Sequence, residues 1–248
     1  SVAMALSVLP LAPFVPLPTP AVAGALAISA MVHWFYQFAM IRALHRGDLS
    51  LVFPVMRGLA PLLTAIAATF ILHEHLAPAG WAGLMLATAA LIVFALPDGA
   101  IGEHRKLQQA ALIWAAITAL GIAFYSVADA RGTRMAEHVA TFIVWLFLLD
   151  WIGITAAMCW ARRGRVWADI RLRLRDGFIA GALGSVSYGA ALWAFTLSQA
   201  ANVTAVRETS VVFGAIFGAV FLKEPFGPRR VMAAAVLASG LLLLEFAH

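Results

Sequence analysis

RGLAPLLTAIAATFILHEHLAP, residues 57–78, is rewritten 150 residues later as RETSVVFGAIFGAVFLKEPFGP, residues 207–228. Arg57, Ala65, Ile66, Leu72, Glu74 and Pro78 recur as Arg207, Ala215, Ile216, Leu222, Glu224 and Pro228, in surroundings where almost nothing else is charged. An internal repeat inside hydrophobic sequence predicts a membrane protein built from two related halves. Small-solute transporters place their binding site near the bilayer midplane between such halves, so transport is the leading expectation.

Composition agrees with lipid. Hydrophobic residues make up 63% of the chain, charged residues 12%, and mean hydropathy is +0.91, against roughly 45–50% apolar and about 25% charged in soluble domains. Runs long enough to cross about 30 Å of hydrocarbon as helices are bracketed at 21–45, 50–72, 79–96, 109–129, 140–161, 175–198, 203–222 and 229–247. Residues 1–15 read as part of another. The runs are continuously apolar, which argues against the alternating strands of a barrel and for an all-α polytopic membrane protein. A net charge of +5 does not point to nucleic acid, because the arginines cluster in short loops, six of them between Arg162 and Arg175. A loop of that kind reports orientation and contact with anionic lipid headgroups. The lone Cys159 excludes an intramolecular disulfide framework.

The repeat offset also bears on completeness. The counterpart of the 109–129 span falls roughly 40 residues before Ser1, so the expectation is a ten-helix fold whose first helix lies outside this chain. Residues 1–97 then form the first repeat with spans 2 to 5, 98–108 a linker, and 109–248 the second repeat with spans 6 to 10. Five crossings per half turn the second half upside down, giving an inverted repeat. The loops after spans 3, 5, 7 and 9 carry thirteen Lys and Arg, the opposite side only Arg131 and Arg134. The positive-inside rule places the first set in the cytoplasm of a bacterial inner-membrane protein and both termini outside.

The stretch from Ala39 to Pro61, with Leu72-His-Glu-His-Leu, Arg207-Glu-Thr-Ser and Leu222-Lys-Glu-Pro-Phe, resembles the EamA family of the drug/metabolite transporter superfamily. The resemblance covers essentially the whole chain. It implies a ten-helix secondary transporter with duplicated halves and favours export; it does not imply a substrate, since the family includes exporters of amino acids, other metabolites and drug-like compounds. Family members are usually drawn with both termini in the cytoplasm, opposite to the charge count here.

Among residues able to carry chemistry, Arg57 and Arg207 occupy equivalent positions within predicted spans. A guanidinium in hydrocarbon cannot shed its proton and needs a partner or a wet cavity. Two convergent forks suit an anionic or zwitterionic solute; the alternative is a permanent salt bridge, with Asp150 or Glu208 as candidate partner. Pro54 and Pro61 flank Arg57 on its own helix face, predict a bend, and free the Arg57 carbonyl, which makes them candidates for a gate.

Removal from water disfavours a charged carboxylate, so Asp150 and Glu208 are candidates for proton coupling. His33 shares a face with Ser29, Tyr36 and Gln37, a stripe suited to substrate contact or to interhelical hydrogen bonding. Span 6 carries Trp114, Thr118, Tyr125 and Asp129 at near-helical spacing, and span 8 carries Ser185 and Tyr188. Tyr125, Tyr188 and Trp193 join His33, Gln37, Arg57 and Arg207 as candidate substrate-binding residues. Glu74 and Glu224, at helix ends, are read as structural acceptors for the free N-terminal amides of the next helix. Gly177, Gly181 and Gly184, like Gly214 and Gly218, form small-residue faces for close packing.

Two rival readings come from other classes. His73-Glu74-His75 lacks the spacing of the His-Glu-x-x-His zinc motif, and Gly184-Ser-Val-Ser-Tyr-Gly has no positioned base, so an intramembrane enzyme has little support, and no metal or cofactor is expected. A non-transporting scaffold or lipid-handling protein would rely on the basic 162–175 loop. The expected partners are a small-molecule solute and anionic lipid, and not nucleic acid.

Overall fold

The computed structural model describes residues 1–47, 49–95, 105–162, 174–210, 213 and 228–245. Every regular element among them is helical: α1 (Val2–Val8), a 3-10 turn (Leu9–Phe14), α2 (Pro20–Leu44), α3 (Leu49–Ile71), α4 (Pro78–Ala95), α5 (Arg105–Met135), α6 (Val139–Arg162), α7 (Leu174–Leu197), α8 (Ala200–Arg207) and α9 (Pro228–Glu245).

Local chemistry explains the breaks. Pro10 and Pro13 remove two donors after α1, so the chain tightens into the 3-10 turn and leaves it extended at Val15. Pro20, Pro78 and Pro228 each open a helix, at the position where a missing N–H costs no hydrogen bond. Thr19 supplies its carbonyl to Ala23 N–H at 2.8 Å, the first turn of α2. His73, at φ 56°, takes the left-handed conformation that ends α3, and the Glu74 N–H returns to the Ala68 carbonyl at 3.3 Å. That turn presents the Glu74 side chain beyond the helix end.

By length and composition, α2 and the stretches Gln109–Met135, Val139–Trp160 and Arg175–Leu197 can each cross a membrane; Val2–Phe14, Val55–Ile71, Pro78–Val93 and Ala235–Leu244 are shorter apolar helices. The bracketed 203–222 span is described only to residue 210 and at residue 213.

Two compact units are present, Ser1–Phe38 with Ala128–Leu197, and Ala39–Val127 with Ser198–His248. Each combines two separate stretches of the chain. In the first unit α1 packs on α6 and α7. Gly181 makes room for that contact, since a methyl group there would fall 2.4 Å from the Ala3 Cβ. Ser7 and Ser185 share a hydroxyl contact at 2.8 Å across the same seam. Of the expected small-residue face, Gly181 and Gly184 lie against α1, whereas Gly177 faces open space.

In the second unit α4 packs on α9. The two backbones touch: a Cβ on Gly83 would lie 2.6 Å from the Gly240 carbonyl oxygen, and one on Gly240 would lie 2.7 Å from that of Gly83. Ala87 and Leu237, 150 residues apart, belong to one buried cluster with Ala90 and Leu91. A second cluster, Ala65, Leu84, Ala201, Ala205 and Leu244, ties α3 and α8 to this pair. Alanine and glycine dominate these seams because lipid tails are as apolar as leucine, so helices in a bilayer associate through close van der Waals contact.

Candidate functional site

Two polar centres lie within the apolar helices, one in each unit. In the first, Asp129 on α5 is fully buried and accepts hydrogen bonds from the Ser29 and Tyr188 hydroxyls. His33 Nε2 stands 3.1 Å from the same carboxylate. Ser29 and His33 are four residues apart and therefore on one face of α2; Tyr188 comes from α7. The other imidazole nitrogen, Nδ1, lies 3.8 Å from Asp150 Oδ1 on α6. That oxygen also accepts the Gln37 Nε2–H at 2.7 Å, and the Asp150 carbonyl accepts the Trp34 indole N–H at 3.0 Å. Tyr36 and Tyr188 stand edge-on to the imidazole, at 6.4 and 5.7 Å between ring centres. The predicted stripe of Ser29, His33, Tyr36 and Gln37 thus meets Asp150 and Tyr188 from two further helices.

Chemically, this group can hold and exchange protons. His33 sits between two carboxylates that approach opposite ring nitrogens, so the three groups do not converge on one point. Among the described residues no three His, Cys, Asp or Glu side chains are grouped to hold a metal ion.

The second centre is an ion pair. Arg57 Nη1 donates to Glu208 Oε1 at 3.1 Å, and the guanidinium lies over the Phe53 ring at 5.5 Å from its centre. Glu208 is 1% exposed, and its other oxygen, Oε2, has no hydrogen-bond partner among the described residues. Arg207, which closes α8, acts on the same carboxylate electrostatically. Of the two partners considered for Arg57, the structure pairs it with Glu208.

The expected bend at Pro54 and Pro61 does not break the helix, because α3 is continuous from Leu49 to Ile71 through both prolines. A proline removes one bond of the ladder, and neighbouring helices can hold both sides in place; Gly58, between them, is pressed against Leu91 of α4, where a Cβ would come within 3.1 Å. In the equivalent segment a break does occur: α8 ends at Arg207, and the Glu208 N–H turns back to the Ala205 carbonyl at 3.0 Å.

Remaining candidates lie apart from these centres. Tyr125 is buried on α5 in the second unit. Trp193, on α7 in the first, is 61% exposed. Both Glu74 oxygens accept the Ala200 N–H, at 2.9 and 3.2 Å. This acid does serve a helix N-terminus, but that of α8 rather than the adjacent α4. Beside it, in the second unit, a cavity of about 180 Å³ is lined in part by His75, Gln199 and Asn202, and by none of the predicted site residues. Glu224, Gly214 and Gly218, and the basic 162–175 loop except its ends, lie outside the described residues.

Sequence reasoning placed Asp129 among cavity-lining residues but missed it as the acceptor around which the first centre is built. The 109–129 bracket put it at a span end, because Arg131 and Arg134 interrupt the apolar run. The helix continues to Met135, which carries Asp129 almost two turns inside.

Comparison with known proteins adds a family. A sequence profile of the EamA-like transporter family matches residues 109–246. An uncharacterized transporter of Archaeoglobus fulgidus is 26% identical over 221 residues, which cover 88% of this chain and 74% of the relative. A protein of known crystal structure superposes with a TM-score of 0.69 at 21% identity, covering 97% of this chain and 84% of that one. The last likeness speaks for the fold.

Proposed function

This chain belongs to the EamA-like transporter family and is a polytopic membrane transporter, and from that premise we propose that it exports a small anionic or zwitterionic organic metabolite in exchange for protons. The observation that carries the reading is the first polar centre: two buried carboxylates and an imidazole, held on helices apolar enough to cross a membrane. Ionisable groups at such depth are costly and rare, and where they occur they mark proton and substrate routes. In this reading Asp150, and less directly Glu208, exchange protons. His33, Gln37 and Tyr188 border the solute path.

Arg57 holds the solute's anionic group. One of its nitrogens is committed to Glu208, and the planar fork keeps further donors for a carboxylate or phosphate. Arg207 sits at the equivalent position of the other repeat. Tyr125 and Trp193 are secondary contacts, and Pro54 and Pro61 weaken α3 enough for it to flex as the pathway alternates between the two sides. The repeats 1–97 and 109–248, joined by 98–108, form an inverted ten-helix architecture in a bacterial inner membrane. The packing of α4 against its equivalent α9, with Ala87 and Leu237 in one cluster, supports a twofold relation, since residues near such an axis meet their own counterparts. The 162–175 loop faces anionic headgroups, and export is the direction the family resemblance implies.

The test is reconstitution into proteoliposomes with a pH-sensitive dye inside, an imposed pH gradient, and a screen of amino acids, other carboxylates and phosphorylated metabolites. Wild type is expected to show solute-dependent proton movement, with Asp150→Asn uncoupling it and Arg57→Ala losing the response to carboxylates or phosphates. Solute flux indifferent to the proton gradient and to both substitutions would overturn the proposal.

A further inference from the structure

We infer that the cavity of about 180 Å³ in the second unit is a binding site for a small uncharged carboxamide, held by the side chain of Asn202 and separate from the Arg57–Glu208 pair. Asn202 is 3% exposed, and neither its Nδ2 nor its Oδ1 has a hydrogen-bond partner among the described residues. A carboxamide withdrawn from water with both atoms idle is destabilising, and native structures hold few of them. Other idle atoms have simpler accounts. Those of Thr88, Ser126 and Thr141 are hydroxyls on helices, where rotation about one bond can reach a carbonyl three or four residues back. Glu208 Oε2 belongs to a carboxylate already bound to Arg57. Flipping the Asn202 amide only exchanges its donor and acceptor ends.

The cavity that Asn202 borders offers room for the missing partner. His75, Gln199 and Asn202 form its polar side, and Leu76 and Leu244 its apolar side. Leu244 belongs to a buried cluster with Ala201 and Ala205, against which Leu76 packs, so this wall is part of the core of the unit. His75 is exposed and Asn202 buried, which gives the site an open rim and a closed floor. Gln199 Nε2 donates to the His75 carbonyl at 3.2 Å and ties the start of α8 to the turn after α3.

Charge and hydrogen bonding select the occupant. Among the described residues the lining has no Asp, Glu, Lys or Arg, so a carboxylate or an ammonium entering it would leave water without finding a fixed counter-charge. Asn202 offers donor and acceptor side by side. A carboxylate answers the donor alone and sets an oxygen against Oδ1; an ammonium answers the acceptor alone. A second carboxamide answers both, through two parallel hydrogen bonds. An apolar cavity of about 150 Å³ takes up benzene, so the volume here suits a ligand of roughly six heavy atoms, an amide with a short apolar tail laid on Leu76 and Leu244.

Asn202 is the only asparagine in the chain. The full chain labelled with nitrogen-15 asparagine in nanodiscs therefore shows one side-chain NH₂ group by NMR, without assignment. Three probes of similar size and different polar head are titrated in turn: propionamide, propionate and propylammonium. Propionamide is expected to move the signal along a saturable curve, half-complete in the millimolar range as suits so small a ligand, and the two ions to leave it in place. At about tenfold above half-saturation, propionamide should raise the thermal unfolding midpoint by about 3–6 °C, and Asn202→Leu should abolish that rise. A signal indifferent to propionamide overturns the inference and leaves the cavity to water. An equal response to either ion overturns the amide assignment, and a thermal shift that persists in Asn202→Leu shows that the amide acts elsewhere. If the variant does not fold, the wild-type titration decides alone. The site does not depend on the transport reading: failure here leaves the Arg57 pair and proton coupling untouched, and proteoliposomes without solute-dependent proton movement would leave this site standing.

Discussion

In the first unit the fully buried Asp129 is met by two hydroxyls and an imidazole, whereas in the second the equally buried Glu208 meets one guanidinium nitrogen and keeps Oε2 without a hydrogen-bond partner among the described residues. Both solutions stabilise an acid away from water, but they distribute the task differently. Donors spread over α2 and α7 let the first centre lose one contact and retain the rest. The second depends chiefly on a single charged partner, and removing that partner strands a charge. A centre with several weak partners can rearrange as protons come and go. An ion pair with one strong partner opens when another anion competes for the guanidinium or when the acid gains a proton.

The comparison breaks most sharply at Arg57. Arg57→Ala should destabilise the protein by roughly 3–5 kcal/mol, read as a fall in the thermal unfolding midpoint in detergent, and Glu208→Gln in the same chain should recover part of it. No recovery would mean that Arg57 stabilises the second unit by packing on Phe53 rather than by charge. An intermediate case is Glu74, whose two oxygens accept the Ala200 N–H at the start of α8. Glu74→Ala should cost about 1 kcal/mol, the usual worth of a helix cap; a loss as large as that at Arg57 would show that the α3–α8 junction carries more than a cap. The smallest effects belong to the first unit. Tyr188→Phe and Ser29→Ala should each cost about 0.6 kcal/mol, the average for interhelical hydrogen bonds in membranes. A drop of several kcal/mol from either would mean that Asp129 is held by one bond, as Glu208 is.

Much of the helical layout was legible along the chain. The brackets 21–45, 140–161 and 175–198 match α2, α6 and α7 to within a residue or so at each end, because an uninterrupted apolar run long enough for a bilayer has few alternatives to a helix. Pro78 and Pro228, 150 residues apart, each open a helix. The apolar run bracketed at 109–129 stops short of the end of α5 at Met135, because Arg131 and Arg134 interrupt the run and charge does not stop a helix. The continuity of α3 through its two prolines was equally hidden, since proline propensity is local and the support that overrides it comes from α4.

The candidate site was legible in its ingredients. Rare polar residues in hydrocarbon announce themselves by type, and helical period grouped Ser29, His33 and Gln37 on one face. Their partners could not be read that way. Asp129 and Asp150 lie about a hundred residues further on, and Glu208 could be proposed for Arg57 only alongside Asp150. Glu74 was recognised as an acceptor of helix amides, yet the helix it serves begins 126 residues away.

Hydropathy, repeat and helix ends follow from the chain alone, because each depends on residues close in sequence and on the thickness of a bilayer. Which acid meets which base, and whether a buried carboxylate is shared among three donors or bound to one, depends on how helices rotate and cross. That is settled by glycine and alanine seams such as Gly83 against Gly240, where the approach of two backbones, rather than any pattern in either helix, determines which side chains come within reach.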